Sequence, residues 1–259
     1  AIILGAGPAG LGAALALARD GARVAVVEAN TEVGGLCRTL RRGELAYDLG
    51  GHILFVNDDQ RRAWLQELLG DDAIWVDRPV VCVRGGRVTP GRYLDQRPPG
   101  ITTPNGAGPS AHAFLAESFG GPFVDEVLRR YLEKVDGIPL ERILAARARN
   151  LMLQQFAPSG FWYAAGGIGQ LMGAMAAQIG LLGGELVLGA RVRTIEVVDG
   201  AIAGVEVDGP DGPARFASRR VIAGLPPALV AGLVDPPPPA DLIPPLAPRA
   251  AALVYLSVA

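Results

Sequence analysis

Cysteine and histidine are both scarce in this sequence of 259 residues, which contains two of each. Two cysteines, Cys37 and Cys82, are too few for a disulfide framework, and their spacing from the histidines is not that of a metal site. An excess of either charge is lacking too, because 24 basic residues stand against 26 acidic ones, a net charge of −2. We therefore expect no bound metal and no nucleic-acid partner held by bulk charge.

Long unbroken apolar runs are also missing. Residues 1–18 and 150–184 carry no charge, but glycines interrupt the first stretch, and glutamines, glycines and Pro158 interrupt the second. A spanning helix needs about 20 mostly apolar residues in succession. We therefore expect no integral membrane segment and a cytoplasmic location, with peripheral membrane association left open.

Apolar residues are plentiful, at 50% of the chain, which is ample for a buried core. The first 28 residues predict strand, glycine turn, helix and strand, with the helix over residues 9–19 and the second strand ending at Glu28. Residues 29–43 are typical of a loop, and residues 45–49 of a strand. Further elements are predicted as a helix at 58–69, a hairpin at 80–89 and a loop at 90–109. Two helices are expected to open at Ser110 and Pro122, a third to run from about 140 to 153, and a fourth to span 170–182. Strands are expected at 186–188, 192–198, 202–207 and 221–223, with a hairpin turn at Asp199-Gly200.

This order of elements predicts an α/β fold in which a Rossmann-like domain is interrupted by an inserted mixed α+β domain. Because residues 253–259 alternate like a strand in mid-course, we expect the chain to be a piece of a longer protein, truncated at its C-terminus. The predicted cofactor domain comprises residues 1–75 and 165–235, and the predicted substrate domain includes residues 76–164 and 245–259.

The turn after the first strand reads Gly5-x-Gly7-x-x-Gly10. The first glycine permits the tight turn, the second lets the backbone approach a pyrophosphate, and the third lets helix and strand pack closely. The start of the following helix offers backbone N–H groups and the positive end of its dipole to phosphates. Glu28, at the end of the second strand, can accept hydrogen bonds from both ribose hydroxyls and would repel a 2′-phosphate. The motif does not by itself choose between NAD and FAD.

A second set of glycines favours FAD. Gly34-Gly35 lets the backbone come close to the ligand again, and Arg38 can bind phosphate oxygens or lie near the ring system. Gly50-Gly51 follows a strand end, where backbone can approach a flat isoalloxazine ring. Simple NAD dehydrogenases do not need these additional glycine pairs.

With these motifs, residues 1–52 resemble the superfamily of amine oxidases, protoporphyrinogen oxidases and phytoene desaturases, to which the UDP-galactopyranose mutases are structurally related. Residues 131–139, 163–171 and 192–195 are similar to later segments of the same flavoproteins. The family has a second FAD motif near its C-terminus, and this chain ends before it. This chain also has Asp136 where close relatives have an aromatic residue.

The resemblance implies an FAD cofactor and places further contacts on this chain. Val192 would meet the adenine through its backbone, while Gly224 and Pro226 would lie near the adenosine. Together with the glycine motifs, this assigns to FAD binding the residues Gly5, Gly7, Pro8, Ala9, Gly10, Glu28, Ala29, Gly34, Gly35, Arg38, Gly50, Gly51, His52, Val192, Gly224 and Pro226.

His52 is the candidate catalytic residue, because an imidazole next to a flavin can shuttle protons near neutral pH. A structural histidine packed at a strand end is the competing interpretation. Three hypotheses about function follow. The first is an FAD-dependent oxidoreductase that oxidises a C–H or C–N bond of a small-molecule substrate. The uncharged stretch 150–184 is compatible with an apolar substrate. The second is a redox-neutral mutase acting on a sugar nucleotide, and the third is a nucleotide-binding remnant without catalysis.

Overall fold

The computed structural model describes residues 1–54, 56, 58–77, 80–84, 86–91, 108–155, 160–242 and 253–255. The chain forms two compact units, one made of Ala1–Ile74 with Trp162–Ala259 and the other of Trp75–Phe161. Which unit binds cofactor and which binds substrate stays a prediction, and most of residues 245–259 lie outside the described part.

Fourteen strands are present in the described residues. They are β1 (Ile2–Leu4), β2 (Ala25–Glu28), β3 (Thr39–Arg42), β4 (Leu45–Asp48), β5 (Ala73–Asp77), β6 (Val81–Arg84), β7 (Arg87–Pro90), β8 (Gly160–Ala164), β9 (Glu185–Leu188), β10 (Arg191–Val198), β11 (Ala201–Gly209), β12 (Gly212–Ala217), β13 (Val221–Ala223) and β14 (Val234–Asp235).

The helices of the described residues are α1 (Pro8–Arg19), α2 (Asp59–Leu69), α3 (Ala111–Phe119), α4 (Gly121–Phe123), α5 (Arg129–Asp136), α6 (Ala145–Gln155), α7 (Ile168–Leu181) and α8 (Pro227–Leu233). A π-helical turn, Val124–Leu128, joins α4 to α5. Short 3₁₀ turns lie at Gly35–Cys37, Gly70–Asp72, Leu140–Arg142 and Ala240–Leu242.

The first unit is built on a parallel sheet in the order β13-β1-β2-β9. All three residues of β1 are apolar because both faces of the sheet are covered, as parallel sheets require. Ile3 packs with α1 and α7 on one face, whereas Ile2 and Leu4 pack on the other face with residues of a second sheet, ordered β12-β11-β10-β14. The result is a helix layer, a parallel sheet and a second sheet, with the ends of β1 and β2 opening at one edge.

The second unit has a helical core. Phe114 and Leu115 of α3 pack against Leu128, Leu132 and residues of α6. Ser110 caps α3 by accepting a hydrogen bond from the backbone N–H of Ala113, 3.3 Å away. The predicted helix starts at Ser110 and Pro122 are confirmed.

The sequence predicted most elements of the first unit, including the initial βαβ unit and the β10–β11 hairpin. The interpretation of residues 29–43 as a loop was wrong, because they contain β3, which pairs with β4 in a hairpin. The strands β5 and β8 and the helix α8 were missed, and the helix expected from residue 140 begins at Ala145. Residues 92–107 of the predicted long loop lie outside the described part, as do all but 253–255 of the predicted final strand.

A cluster of ion pairs in the second unit centres on Arg129. Its guanidinium contacts Asp125 at 2.7 Å, Glu141 at 2.8 Å and Glu133 at 3.1 Å. Hydrogen bonds from Arg129 lower the pKa of Asp125 and the pKa of Glu141 below their ordinary values. A carboxylate with a lowered pKa stabilises the folded state at pH values above its unfolded pKa, and this contribution is lost as the pH falls through the folded pKa.

We therefore expect Arg129→Gln to reduce the acid sensitivity of the fold. Without the guanidinium, the pKa values of Asp125 and Glu141 return towards those of the unfolded chain, so less stability is lost between neutral pH and about pH 3. Urea unfolding across this range measures the effect, with Arg130→Gln on the same helix as the matched control. An equal loss of stability in the wild type and in Arg129→Gln would contradict the expectation.

Candidate cofactor site

The predicted glycine loop lies at the carboxyl end of β1, before α1. Gly5 has φ +91°, a conformation that favours glycine. A Cβ at position 10 would lie 1.9 Å from the carbonyl oxygen of Gly5, so only glycine fits there. A Cβ at Gly7, in contrast, would meet no heavy atom within 4 Å. The loop is thus tightly packed towards the helix and leaves open space beside Gly7, where a ligand can approach the backbone.

Helix α1 begins with Pro8 and Ala9, two of the predicted contact residues. The N-cap residue is Gly7, which has no side chain to satisfy the first N–H groups of the helix. No acidic residue lies in the first turn. This helix start is therefore suited to an anionic group of a ligand.

Glu28 ends β2 and is buried, with 7% of its surface exposed. Its Oε2 accepts a hydrogen bond from the backbone N–H of Ala6 at 2.8 Å. Its Oε1 accepts from the backbone N–H of Asn30 at 2.8 Å and from the Asn30 side-chain amide at 2.6 Å. Because a carboxylate has about four acceptor positions and three are already used, Glu28 retains one for a ligand hydroxyl.

A cavity of about 290 Å³ adjoins Glu28. This volume is at the low end of small-molecule sites, which span roughly 300–1,000 Å³. The structure brings the predicted residues Gly5, Glu28, Ala29 and Val192 together in its wall. The remaining described residues that line it are Val27, Ala190, Arg191, Leu225, Leu229 and Leu233.

The sequence interpretation missed Val27, Ala190 and Arg191 of this wall, and also its leucines: Leu225, which precedes α8, and Leu229 and Leu233 within it. Leu225, Leu229 and Leu233 recur every four residues, and this helical spacing was the signal available in the sequence. Of the two residues predicted here, Gly224 packs against the glycine loop, since a Cβ there would lie 3.1 Å from the backbone nitrogen of Gly10. Pro226 is the exposed N-cap of α8.

The second predicted glycine pair lies against the first glycine loop. Gly34 and Gly35 both have positive φ values, +114° and +56°, and a Cβ at Gly35 would lie 3.2 Å from Cα of Gly7. The backbone N–H of Gly34 donates to the carbonyl of Ala6 at 2.7 Å. Arg38 donates from Nε to the carbonyl oxygen of Gly35 at 3.0 Å. The structure thus joins the two glycine motifs into one surface.

The third predicted group, Gly50, Gly51 and His52, follows β4 and does not line the cavity beside Glu28. Gly50 has φ +107° and donates its backbone N–H to the hydroxyl oxygen of Tyr255 at 3.1 Å. His52 faces the Gly35–Cys37 turn. The role of these three residues beside a flavin ring stays a prediction.

The start of α7 is capped by side chains from the β3–β4 hairpin. Asp48 accepts hydrogen bonds from the backbone N–H of Ile168 at 3.2 Å, and Thr39 Oγ1 accepts from that of Gly169 at 2.8 Å. Thr39 also donates to Asp48 at 2.5 Å. A Cβ at Gly167 would lie 2.4 Å from the Thr39 hydroxyl oxygen, which explains the glycine at that position.

We expect Thr39→Val to lower the free energy of unfolding by about 1–2 kcal/mol, because it removes a helix cap while keeping the side-chain shape. Urea denaturation measures the change. Thr194→Val on β10 is the matched control, since among the described residues the Thr194 hydroxyl makes no hydrogen bond. Equal stability of Thr39→Val and the wild type would contradict the capping role.

Neither a metal site nor a membrane-spanning helix is found among the described residues. No group of three or more His, Cys, Asp or Glu side chains in this part of the chain is arranged to hold a metal ion. Nor does any helix within the described ranges combine the length and apolar character needed to cross a bilayer.

Comparison with known families agrees with this geometry. Residues 3–68 match the model for an NAD(P)-binding Rossmann-like domain. Residues 102–258, more than half of the chain, match the model for flavin containing amine oxidoreductases. The chain belongs to the flavin containing amine oxidoreductase family. The resemblance drawn from the sequence is confirmed, and with it the α/β fold built on a Rossmann-like domain.

Several solved structures share the fold of this chain. An oxidoreductase from Methanosarcina mazei is 16% identical with a TM-score of 0.69, and the match covers 91% of this chain and 61% of the Methanosarcina chain. Reduced UDP-galactopyranose mutase is 20% identical with a TM-score of 0.65, covering 90% and 57%. Putrescine oxidase bound to putrescine is 22% identical with a TM-score of 0.62, covering 92% and 61%.

Curated relatives match over shorter segments. The soluble pyridine nucleotide transhydrogenase of Marinomonas sp. is 56% identical over 39 residues, which is 15% of this chain and 8% of that protein. The all-trans-retinol 13,14-reductase of Rattus norvegicus is 41% identical over 54 residues, 21% of this chain and 9% of that protein. The chain thus spans about 60% of the length of the solved structures and less than a tenth of the curated relatives.

Proposed function

We propose that this protein is an FAD-dependent oxidoreductase that oxidises a C–H or C–N bond of a small molecule. The observation that carries the proposal is the joined glycine surface next to Glu28. The open space beside Gly7 and the uncapped start of α1 suit a pyrophosphate. The buried carboxylate of Glu28 suits the adjoining ribose. Membership of a flavin containing family supports a flavin in this position.

The residues present fit FAD in several respects. Glu28 would accept a hydrogen bond from a ribose hydroxyl, and the N–H groups at the start of α1 would bind the pyrophosphate. Arg38 uses Nε within the chain, so its terminal nitrogens remain the groups that would contact phosphate or ring oxygens. Val192 and the leucines of the cavity wall would enclose the adenine.

When bound, FAD supplies a hydride acceptor at N5 and returns the electrons to oxygen or another acceptor. The chain's share is to bind and orient the cofactor, because hydride transfer to a flavin requires no dedicated side-chain base. Either substrate would lose a hydride and a proton. An amine would be released as an imine, and a hydrocarbon would be released with a new double bond. An apolar small-molecule substrate would suit the uncharged stretch 150–184.

A redox-neutral mutase acting on a sugar nucleotide is the second candidate, supported by the structural likeness to UDP-galactopyranose mutase. The two candidates differ in their need for reduced flavin. An oxidoreductase would bleach the flavin absorbance at about 450 nm when mixed anaerobically with its substrate. A mutase would leave oxidised flavin unchanged and would isomerise a UDP-sugar only after chemical reduction.

The test is therefore an anaerobic screen of the FAD-loaded protein against amines, a porphyrinogen, a polyene and UDP-galactopyranose. We expect one of the first three to bleach the flavin. Isomerisation of the UDP-sugar by reduced protein, without net oxidation, would replace the first candidate with the second. FAD binding without turnover of any class would favour a nucleotide-binding remnant.

A further inference from the structure

His52 has both ring nitrogens directed at one short turn of the chain. Its Nε2 lies 3.1 Å from the carbonyl oxygen of Leu36, and its Nδ1 lies 3.8 Å from Sγ of Cys37. Both partners belong to the Gly35–Cys37 turn between the second glycine pair and Arg38. The imidazole is thus occupied by the chain's own groups.

The chemistry of these partners fixes the tautomer. A carbonyl oxygen can only accept, so the proton of the neutral imidazole lies on Nε2 and is donated to Leu36. Nδ1 then carries a lone pair and accepts the S–H of Cys37. Burial, with a smaller contribution from the charge of Asp48, raises the pKa of the Cys37 thiol, which keeps this S–H donor in place at neutral pH.

The turn that His52 contacts is also bonded to the glycine loop. Gly35 lies against Gly7, and Gly34 donates to Ala6. Arg38 is tied to the carbonyl of Gly35. One side of the turn therefore faces the place where pyrophosphate would bind, and the other side is held by the imidazole.

We propose that His52 is a positioning residue, which holds the Gly34–Arg38 turn against Gly7 through Leu36 and Cys37 and thereby sets the affinity for FAD. This inference rests on the proposed function, because FAD is the ligand that the turn would contact. It is an alternative to the expectation that His52 transfers a proton in the reaction, which stays a prediction. To accept a substrate proton, His52 would have to give up its contact with Leu36 or with Cys37.

The first experiment measures the dissociation constant of FAD for the full chain and two variants. His52→Leu removes both hydrogen bonds and is expected to weaken FAD binding about tenfold, or about 1.4 kcal/mol. His52→Gln places an amide N–H near the position of Nε2, restores the bond to Leu36, and is expected to recover most of the affinity. His112→Leu, at the chain's other histidine, is the matched control and is expected to bind FAD like the wild type.

Equal affinity of His52→Leu and the wild type would overturn this inference alone. Failure of the wild type itself to bind FAD would overturn the proposed function, and the positioning role with it. The two failures are therefore distinguishable in one titration series.

The second experiment is independent of cofactor. Nitrogen-15 NMR of the histidine rings in the FAD-free protein reports which nitrogen is protonated. We expect His52 in the Nε2–H form, with its Nδ1 resonance shifted by Cys37→Ala and not by Cys82→Ala. A proton on Nδ1, or a resonance indifferent to Cys37→Ala, would contradict the contact pattern.

The third readout separates positioning from catalysis. At saturating FAD, His52→Gln is expected to keep the pH profile of flavin reduction by substrate. Loss of one limb of that profile would show that His52 titrates in the reaction, and would restore the catalytic role.

Discussion

Gly10→Ala is expected to abolish FAD binding and to destabilise the protein by several kcal/mol. The added Cβ would lie 1.9 Å from the carbonyl oxygen of Gly5 and 3.3 Å from a methyl group of Ile3, so backbone has to move. Overpacking alone typically costs about 1–3 kcal/mol, and here the displaced atoms are those of the glycine loop that is proposed to bind the pyrophosphate. Titration with FAD and urea unfolding measure the two effects.

Gly12→Ala is the matched control for this variant. It lies on the same helix, but a Cβ there would have only the methyl carbon of Met175 within 4 Å, at 3.9 Å. Because alanine favours helix over glycine by about 1 kcal/mol, we expect equal or greater stability and unchanged FAD affinity. Similar behaviour of Gly10→Ala and Gly12→Ala would show that the loop geometry around Gly5 is wrong.

Glu28→Ala is expected to weaken FAD binding at least tenfold, a loss of about 1.4 kcal/mol. The variant removes the proposed acceptor for a ribose hydroxyl. It also leaves the backbone N–H groups of Ala6 and Asn30 without the carboxylate that now accepts from them. Glu28→Gln keeps one oxygen acceptor and is expected to fall between the wild type and Glu28→Ala. Fluorescence titration with FAD measures the series.

Nucleotide competition separates the ribose contact from a general loss of structure. In the wild type, ADP should displace FAD more readily than adenosine 2′,5′-bisphosphate, because the 2′-phosphate would meet the Glu28 carboxylate. This preference should shrink in Glu28→Gln. Glu185→Gln, an exposed glutamate at the start of β9, is the control and should leave both affinities unchanged. An undiminished preference in Glu28→Gln would contradict the ribose assignment.

The sequence predicted the strand, turn and helix of the first glycine motif well because their determinants are local. Gly5, Gly7 and Gly10 occur within one turn, and Glu28 ends the next strand, so strand, turn and helix all follow from neighbouring residues. The same holds for the β10–β11 hairpin, which is specified by the turn at Asp199-Gly200.

The contacts that the sequence did not predict join distant segments. Thr39 caps α7 at Gly169, 130 residues further along the chain, and no local pattern connects the two positions. The β3 strand was missed because Arg41 and Arg42 break the apolar alternation expected of a strand. His52 was singled out for its chemistry, but its partners in the Gly35–Cys37 turn became visible only in the folded chain.

The central claim is that the joined glycine surface binds FAD, and the absorption spectrum of the purified protein tests it most directly. After incubation with FAD and gel filtration, we expect the protein to show absorption bands at about 375 and 450 nm. Heat denaturation should release the absorbing compound into the filtrate, where mass spectrometry should identify it as FAD. A protein that remains colourless under these conditions, while Gly10→Ala and the wild type give identical spectra, would contradict the claim.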